Sequence, residues 1–350
     1  MSENGYKTRG GESSESGVTI RDVARKAGVS VATVSRVVNG LGSVRPETRR
    51  RVVEAIEALG FAPNPAARLL SGRSHKTIGA LVPSFSDSFF AQAVRGLDDA
   101  LSSAGYGLIL ACSDGSDELE ETQCENLLSK GVDALVFLRG GRGTDYLAEK
   151  TSARIPVISV DREASQGGWG SVTSNDHRGA SQMTARLLSM GHRRIAYLRG
   201  PDHVSTYRDR FQGFLEEMES LKGEAEPLMF QGDLSYEGGY ALTSALLAQR
   251  VTAVFCANDY MAIGVIRGLQ DGGVLVPAQV AVAGYGDQEI GVMIRPTLST
   301  VSRPAYRMGV AASELLLDSL LKGSDLAGRN VVFSPSVVER DSTGWRRSFP

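Results

Sequence analysis

Val31, Ala32 and Arg36 stand at the start of a short apolar-periodic run and are of types that read DNA bases. The small apolar pair suits contact with thymine methyls, and the guanidinium can hold a base edge with two hydrogen bonds. Val34, Val37 and Val38 give the run its apolar face, and Ser30 sits where an N-cap belongs. The run before it puts Ile20, Val23, Ala24 and Ala27 on one helical face and ends at Gly28, a turn residue. Thr19 to Asn39 therefore reads as a helix-turn-helix whose second helix enters the major groove. An ordinary helical hairpin would share this periodicity, so the charge around the motif has to decide.

The formal net charge of -2 hides an asymmetry. Residues 18 to 76 carry eleven Lys and Arg against four Asp and Glu, whereas residues 77 to 350 carry twenty-five against thirty-three. A cationic end on an anionic body is what phosphate binding requires, because released counterions drive association with DNA.

Residues 1 to 17 are Gly, Ser and Glu rich and read as a disordered tail. Residues 18 to 62 then form a three-helix headpiece. Its third helix starts at Pro46 and Glu47, is given Val52, Val53, Ile56 and Leu59 as its buried stripe, and stops at Gly60. Residues 63 to 76 hold a short hinge, Asn64 to Gly72, with an N-cap, a first-turn proline and a closing glycine. A helix of two turns is marginal in water and is expected to form only when docked. Leu70 is suited to wedging between base pairs in a minor groove.

From Thr77 to about residue 345 the pattern becomes α/β. Apolar runs such as IGALVPS, YGLILACS, DALVFL and PVISVDR alternate with helices at Phe89 to Ser103 and Asp117 to Lys130. A second cycle starts near Ser171, with helices at Arg178 to Met190, Tyr207 to Leu221, Tyr236 to Leu247 and Tyr260 to Asp271, and strands that include RRIAYLRG, TAVFCAND and VAVAGYGD. Two such cycles predict two lobes built on parallel sheets. Ligands bind beyond the carboxyl ends of such strands, which directs attention to Ser84 to Phe90, Asp161 and Arg162, Asn258 and Asp259, and Tyr285 to Asp287. Each has a plainer reading: Phe89 and Phe90 suit a core, Asp259 a helix cap, and Asp161 an ion pair with a neighbouring arginine.

The run T-I-x-D-V-A-x-x-A-G-V-S-x-x-T-V-S-R-V-V-N, followed by the N-P-x-A-R-x-L hinge, resembles the lactose-repressor/galactose-repressor family of bacterial transcription regulators. The resemblance implies a headpiece, a hinge helix and a two-lobed, periplasmic-binding-protein-like effector domain. It also implies a homodimer on a palindromic operator. Position by position, it assigns phosphate contacts to Thr19, Ser30, Thr33, Ser35, Asn39 and Thr48, and base reading to Val31, Ala32 and Arg36. Asn64, Ala67 and Leu70 become hinge contacts to DNA, and Phe89, Asp161, Arg210, Asn258 and Asp287 become effector contacts. Where neutral-sugar members carry G-Y-D-D, this chain has Gly284-Tyr285-Gly286-Asp287, as in the gluconate-repressor branch. Loss of that carboxylate, beside Arg210 and Arg162 or Arg208, points to a sugar acid as the small-molecule effector.

Catalytic signatures are missing: the chain has no G-x-S-x-G, no P-loop and no G-x-G-x-x-G after the first strand. His75, His177, His192 and His203 show no metal spacing, and Cys112, Cys124 and Cys256 read as reduced thiols. Neither an enzyme, a cofactor nor a metal is expected. With no signal-like or membrane-spanning run, the chain is expected in the cytoplasm, and the alternative of a transport-type carbohydrate-binding protein is disfavoured.

Overall fold

The computed structural model describes residues 18–38, 44–60, 74–138, 155–162, 168–221 and 224–344. The tail at 1–17, Asn39 and the hinge positions Asn64, Ala67 and Leu70 lie outside the described residues. The chain divides into two compact units, Met1–Arg73 and Ser74–Pro350.

The first unit contains α1 (Ile20–Ala27), α2 (Val31–Val38) and α3 (Pro46–Leu59). Helix α1 is started by Asp22, whose carboxylate accepts from the Thr19 amide at 3.0 Å and the Thr19 hydroxyl at 2.6 Å. It ends at Gly28 with φ 64°, a left-handed turn that glycine adopts without penalty. Helix α2 is capped by Ser30, whose Oγ accepts from the Thr33 amide at 3.2 Å. Val23, Ala24, Ala27, Val34, Val37, Val52 and Ala55 close the core. Val53 departs from expectation: it is 41 % exposed, because Val52, Ala55, Ile56 and Leu59 already cover the inward arc of α3. Arg51 projects back to α1 and donates to the Ala27 carbonyl and, at 3.2 Å, to the Gly28 carbonyl.

The second unit has two lobes. The sheet of lobe 1 is parallel, in the order β11-β5-β4-β3-β1-β2. Its strands are β1 (Thr77–Val82), β2 (Gly107–Cys112), β3 (Ala134–Leu138), β4 (Val157–Val160), β5 (Gly170–Ser174) and β11 (Asn330–Phe333). Alternation along each strand sends Ile78, Ala80, Val82, Val136 and Ile158 to one face, under α4 (Ser88–Ser103) and α12 (Ala305–Lys322). Leu81, Leu135, Phe137 and Val157 go to the other, under α5 (Asp117–Ser129). Helices α4 and α12 touch through glycine: a Cβ on Gly96 would lie 2.1 Å from the Tyr306 carbonyl oxygen.

Lobe 2 has a parallel sheet β7-β6-β8-β9, formed by β6 (Arg194–Arg199), β7 (Glu226–Gln231), β8 (Ala253–Cys256) and β9 (Ala281–Ala283). Around it pack α6 (Asp176–Ser189), α7 (Ser205–Glu219), α8 (Tyr236–Ala241), α9 (Thr243–Ala248), α10 (Asp259–Asp271) and α11 (Ile290–Met293). The ribbon of β10 (Thr300–Ser302) and β12 (Ser336–Val338) is antiparallel.

The lobes are interleaved along the chain, which two successive cycles did not foretell. Strand β5, read from the sequence as opening the second cycle, belongs to the first sheet and pairs with β11 from the far end of the chain. The chain therefore passes between lobes three times, at Ser174 to Asp176, Ser302 to Ala305 and Phe333 to Ser336.

Candidate nucleic-acid interface and effector cleft

Helix α2 presents Val31, Ala32 and Arg36 to solvent and turns Val34 and Val37 inward. Val31 is 42 % exposed, a burial cost left unmet in this unit and appropriate to a contact surface. Thr19 and Ser30 are exposed, whereas Thr33, Ser35 and Thr48 are half-buried. Arg21, Arg25, Lys26, Arg45, Arg49 and Arg50 are exposed on the same three-helix unit and give it the cationic character that a phosphate backbone attracts. In the first turn of α1, hydrogen bonds from Thr19 occupy the Asp22 carboxyl and hold it below the usual carboxylate range, so it stays ionised as a cap.

In the second unit a cavity of about 230 Å³ lies between the strand ends of the two lobes. Lobe 1 contributes Ser84, Ser86, Asp87, Phe90 and Asp161, and lobe 2 contributes Thr206, Tyr207, Arg210, Asn258 and Tyr260, with Arg303 arriving from the second crossover. Two lining residues hold left-handed backbone, Asp161 at φ 79° and Leu234 at φ 69°. Such strain in a leucine persists only where the surroundings fix it, and it clusters at ligand sites.

Arg210 is 3 % exposed and bound on several sides. Nε faces Asp176 Oδ1 at 3.4 Å, Nη1 donates to the Ala257 carbonyl at 2.7 Å, and Cζ lies 3.9 Å from the centre of the Tyr285 ring. Burial works against its charge, but Asp176 and the tyrosines outweigh it and keep the guanidinium protonated. Arg303 pairs with Asp161, both being 7 % exposed, and stacks 3.7 Å over the Phe89 ring. Asn258 uses both ends of its amide within the chain: Oδ1 accepts from the Met261 amide at 2.9 Å and Nδ2 donates to the Leu234 carbonyl at 2.7 Å.

Of the expected effector residues, the cavity gathers Asp161, Arg210 and Asn258. Phe89 lies behind it as an anchor for Arg303, and Phe90 takes the lining place. Asp287 is not brought to the cavity: with φ 56° it turns its carboxylate to Arg340 Nη2 at 2.5 Å. Nor do Arg162 and Arg208 line it. Arg303, Tyr207 and Tyr260 escaped the sequence reading. The signal available was Arg303 in S-R-P after an apolar triplet, but β10 is only three residues long and offers no alternation.

Asp259, beside the cleft, is fully buried. Its Oδ1 accepts from the Thr300 hydroxyl at 2.5 Å and Oδ2 from the Gln288 amide at 2.7 Å. Burial raises its pKa from 3.8 to about 6 against the pull of those bonds. The folded chain then holds the Asp259 proton more tightly than the unfolded chain. Stability from this group is greatest below pH 3.8, falls as pH rises toward about 6, and stays reduced above, by about 3 kcal/mol. Asp259→Asn is expected to remove that cost, because Oδ1 can still accept from Gln288 and the amide can donate to Thr300. Urea titrations should show the variant more stable at pH 7.5 and the gap closing by pH 4; a gap independent of pH would refute the shift.

Among the described residues no group of histidines, cysteines and carboxylates could hold a metal ion, and no helix is long and apolar enough to cross a membrane.

Comparison with known proteins settles the family. Residues 19–64 match the profile of bacterial regulatory proteins, lacI family, and residues 184–343 that of a periplasmic binding protein-like domain. Catabolite control protein A of Priestia megaterium is 34 % identical over 331 residues, covering 93 % of this chain and 99 % of that protein. The chain belongs to the LacI family of bacterial regulatory proteins. The LacI-family assignment extends to the fold. The lac repressor dimer bound to operator and the anti-inducer ONPF superposes with TM-score 0.83 at 28 % identity, covering 93 % of this chain and 99 % of that one. The transcriptional regulator CelR in complex with cellobiose gives TM-score 0.69 at 31 % identity with the same coverage. As a LacI-family member this protein is a DNA-binding transcription regulator and not an enzyme.

Proposed function

We propose that the protein is a dimeric repressor that reads a palindromic operator with Val31, Ala32 and Arg36 and is controlled by a carbohydrate held between its lobes. Thr19, Ser30, Thr33, Ser35 and Thr48 would bind phosphates, with Asn39, Asn64, Ala67 and Leu70 completing the DNA contacts. The carrying observation is the cleft at the strand ends, in which serine, threonine and carboxylate groups share the wall with Phe90, Tyr207 and Tyr260. Hydroxyl-binding groups beside aromatic faces suit a sugar ring, polar at its edges and apolar on its faces. Relatives bound to cellobiose and to ribose support the same class.

The dimer has a suitable face on lobe 2. Lobe 2 carries exposed Tyr236 and Tyr240 on α8, with ring centres 6.4 Å apart, and exposed Ile290, Val292 and Met293 on α11. Between these helices in the chain, α10 bonds Tyr240 through Asp271 and the Arg295 carbonyl, just beyond α11, through Gln270. A second copy is the occupant that fits, as in the lac repressor solved as a dimer on its operator. Closure of the cleft would then alter the spacing of the first lobes and, through residues 63–76, the placement of the headpieces.

The sugar-acid reading loses ground to a neutral sugar. Both cleft arginines are already neutralised, Arg210 by Asp176 and Arg303 by Asp161. Position 286 does not line the cleft; a Cβ there would face Asp259 Oδ2 and Gln288 Nε2, each at 3.5 Å. Calorimetric titration of glucose, ribose and cellobiose against gluconate and related aldonates separates the two, with tighter aldonate binding refuting the neutral reading. A mobility shift on the promoter beside its own gene, with the same sugars, tests the regulator as a whole. If none of them changes DNA affinity, the carbohydrate reading fails.

A further inference from the structure

Two bridges run from lobe 2 to lobe 1 at the edge of the cleft, and both end on one short segment, Ser86 to Ser88, at the start of α4. Gln288, in the loop between β9 and α11, donates from Nε2 to Asp87 Oδ1 at 2.7 Å. Its Oε1 accepts from the Ser88 hydroxyl at 2.7 Å and the Ser88 amide at 3.2 Å. Tyr260, in the first turn of α10, donates from its hydroxyl to the Ser86 carbonyl at 3.2 Å. Gln288 is 6 % exposed, so its bonds are shielded from water, where a missing partner is costly.

The loop bearing Gln288 is itself anchored. Its amide is held by Asp259, which also takes the Thr300 hydroxyl, and Gly286 at φ 138° shapes the approach. On the other side Asp87 is shared. It lines the effector cleft, caps α4 by accepting from the Phe89 amide at 2.9 Å, and receives Gln288.

We propose that Gln288 is an intramolecular latch across the effector cleft, gripping the first turn of α4 so that the chain's own atoms bias the two lobes toward each other before an effector binds. The inference rests on the cleft being the effector site. An effector that bridges the lobes then has less closure to drive, since apparent affinity scales with the population of the competent state. The latch thus sets the concentration at which the regulator responds.

The test is the distance between a spin label on α5 in lobe 1 and one on α9 in lobe 2, measured by pulsed resonance on the full chain with no sugar present. Gln288→Glu keeps the side-chain length and the backbone bond to Asp259 but places an oxygen against Asp87. It is expected to move the distance distribution outward. Adding Asp87→Asn should bring it back, because the new amide can donate to the new carboxylate and asparagine also caps helices well. The restored double variant also controls for misfolding. An unchanged distribution in Gln288→Glu, or no recovery in the double variant, would overturn the latch. Because no sugar enters the measurement, its outcome is independent of whether the effector is a carbohydrate.

Discussion

Arg210→Ala is expected to destabilise the protein by ~3–5 kcal/mol, the cost of leaving a buried charge without its partner. Asp176 is 2 % exposed and faces the guanidinium. Its other oxygen, Oδ2, has no hydrogen-bond partner among the described residues. Alanine would also strip a donor from the Ala257 carbonyl and a cation from the face of Tyr285. The loss should be carried by the stranded carboxylate more than by the missing volume. Arg210→Met alone should therefore remain unstable, while Arg210→Met with Asp176→Asn should recover most of the loss. Urea denaturation of the full chain at pH 7.5 measures all three, and a change under about 1 kcal/mol for Arg210→Ala would place the balancing charge elsewhere. If the cleft reading is right, the recovered double variant will fold and yet fail to respond to sugar.

Arg36→Ala should weaken operator binding by ~1–3 kcal/mol and relax the preference at one base pair of each half-site. Stability should hardly move, because the side chain is exposed and outside the core formed by Val23, Val34, Val37 and Val52. Arg51 is the instructive contrast. It too is a headpiece arginine, but its guanidinium closes the carbonyl end of α1, so Arg51→Ala should lower headpiece stability and weaken all DNA sequences alike. Binding curves on single-base operator variants distinguish the two. A uniform loss for Arg36→Ala would remove it from the base-reading set.

Local chemistry explains what was legible in the sequence. The helix-turn-helix was readable because its signals lie within twenty residues: the apolar face of the first helix, Gly28, the Ser30 cap and the valine stripe, to which the structure adds the Asp22 box. Asn258 was readable at the end of a strongly patterned strand, whereas Arg210, inside α7, was singled out by the resemblance alone. What sequence could not supply was partnership over distance. Strand β5 looks like the start of a second cycle until it is seen against β11, with Ser171 bonded to Asn330. Asp287 has the right chemistry for a ligand contact, but a left-handed backbone and Arg340 point it away. Asp161 was open between ligand contact and ion pair, and Arg303, 142 residues on, made it a pair at the cleft wall. Tyr236 to Leu247 reads as one helix, while the chain forms two with a junction at Leu242.

The three passages between lobes decide how this regulator can be recombined with its relatives. A chimera made with a single splice between Ser174 and Asn330 would leave β5 and β11 from different parents side by side in one sheet. To transplant the second lobe intact, two segments must travel together, roughly 175–302 and 336–344, since β10 pairs with β12 across the gap in sequence. A donor cassette built on that rule also brings Gln288 and Tyr260 into contact with a foreign Ser86 to Ser88 segment. Graft compatibility will therefore depend on matching those few residues at the seam as much as on the residues that line the cavity between the lobes.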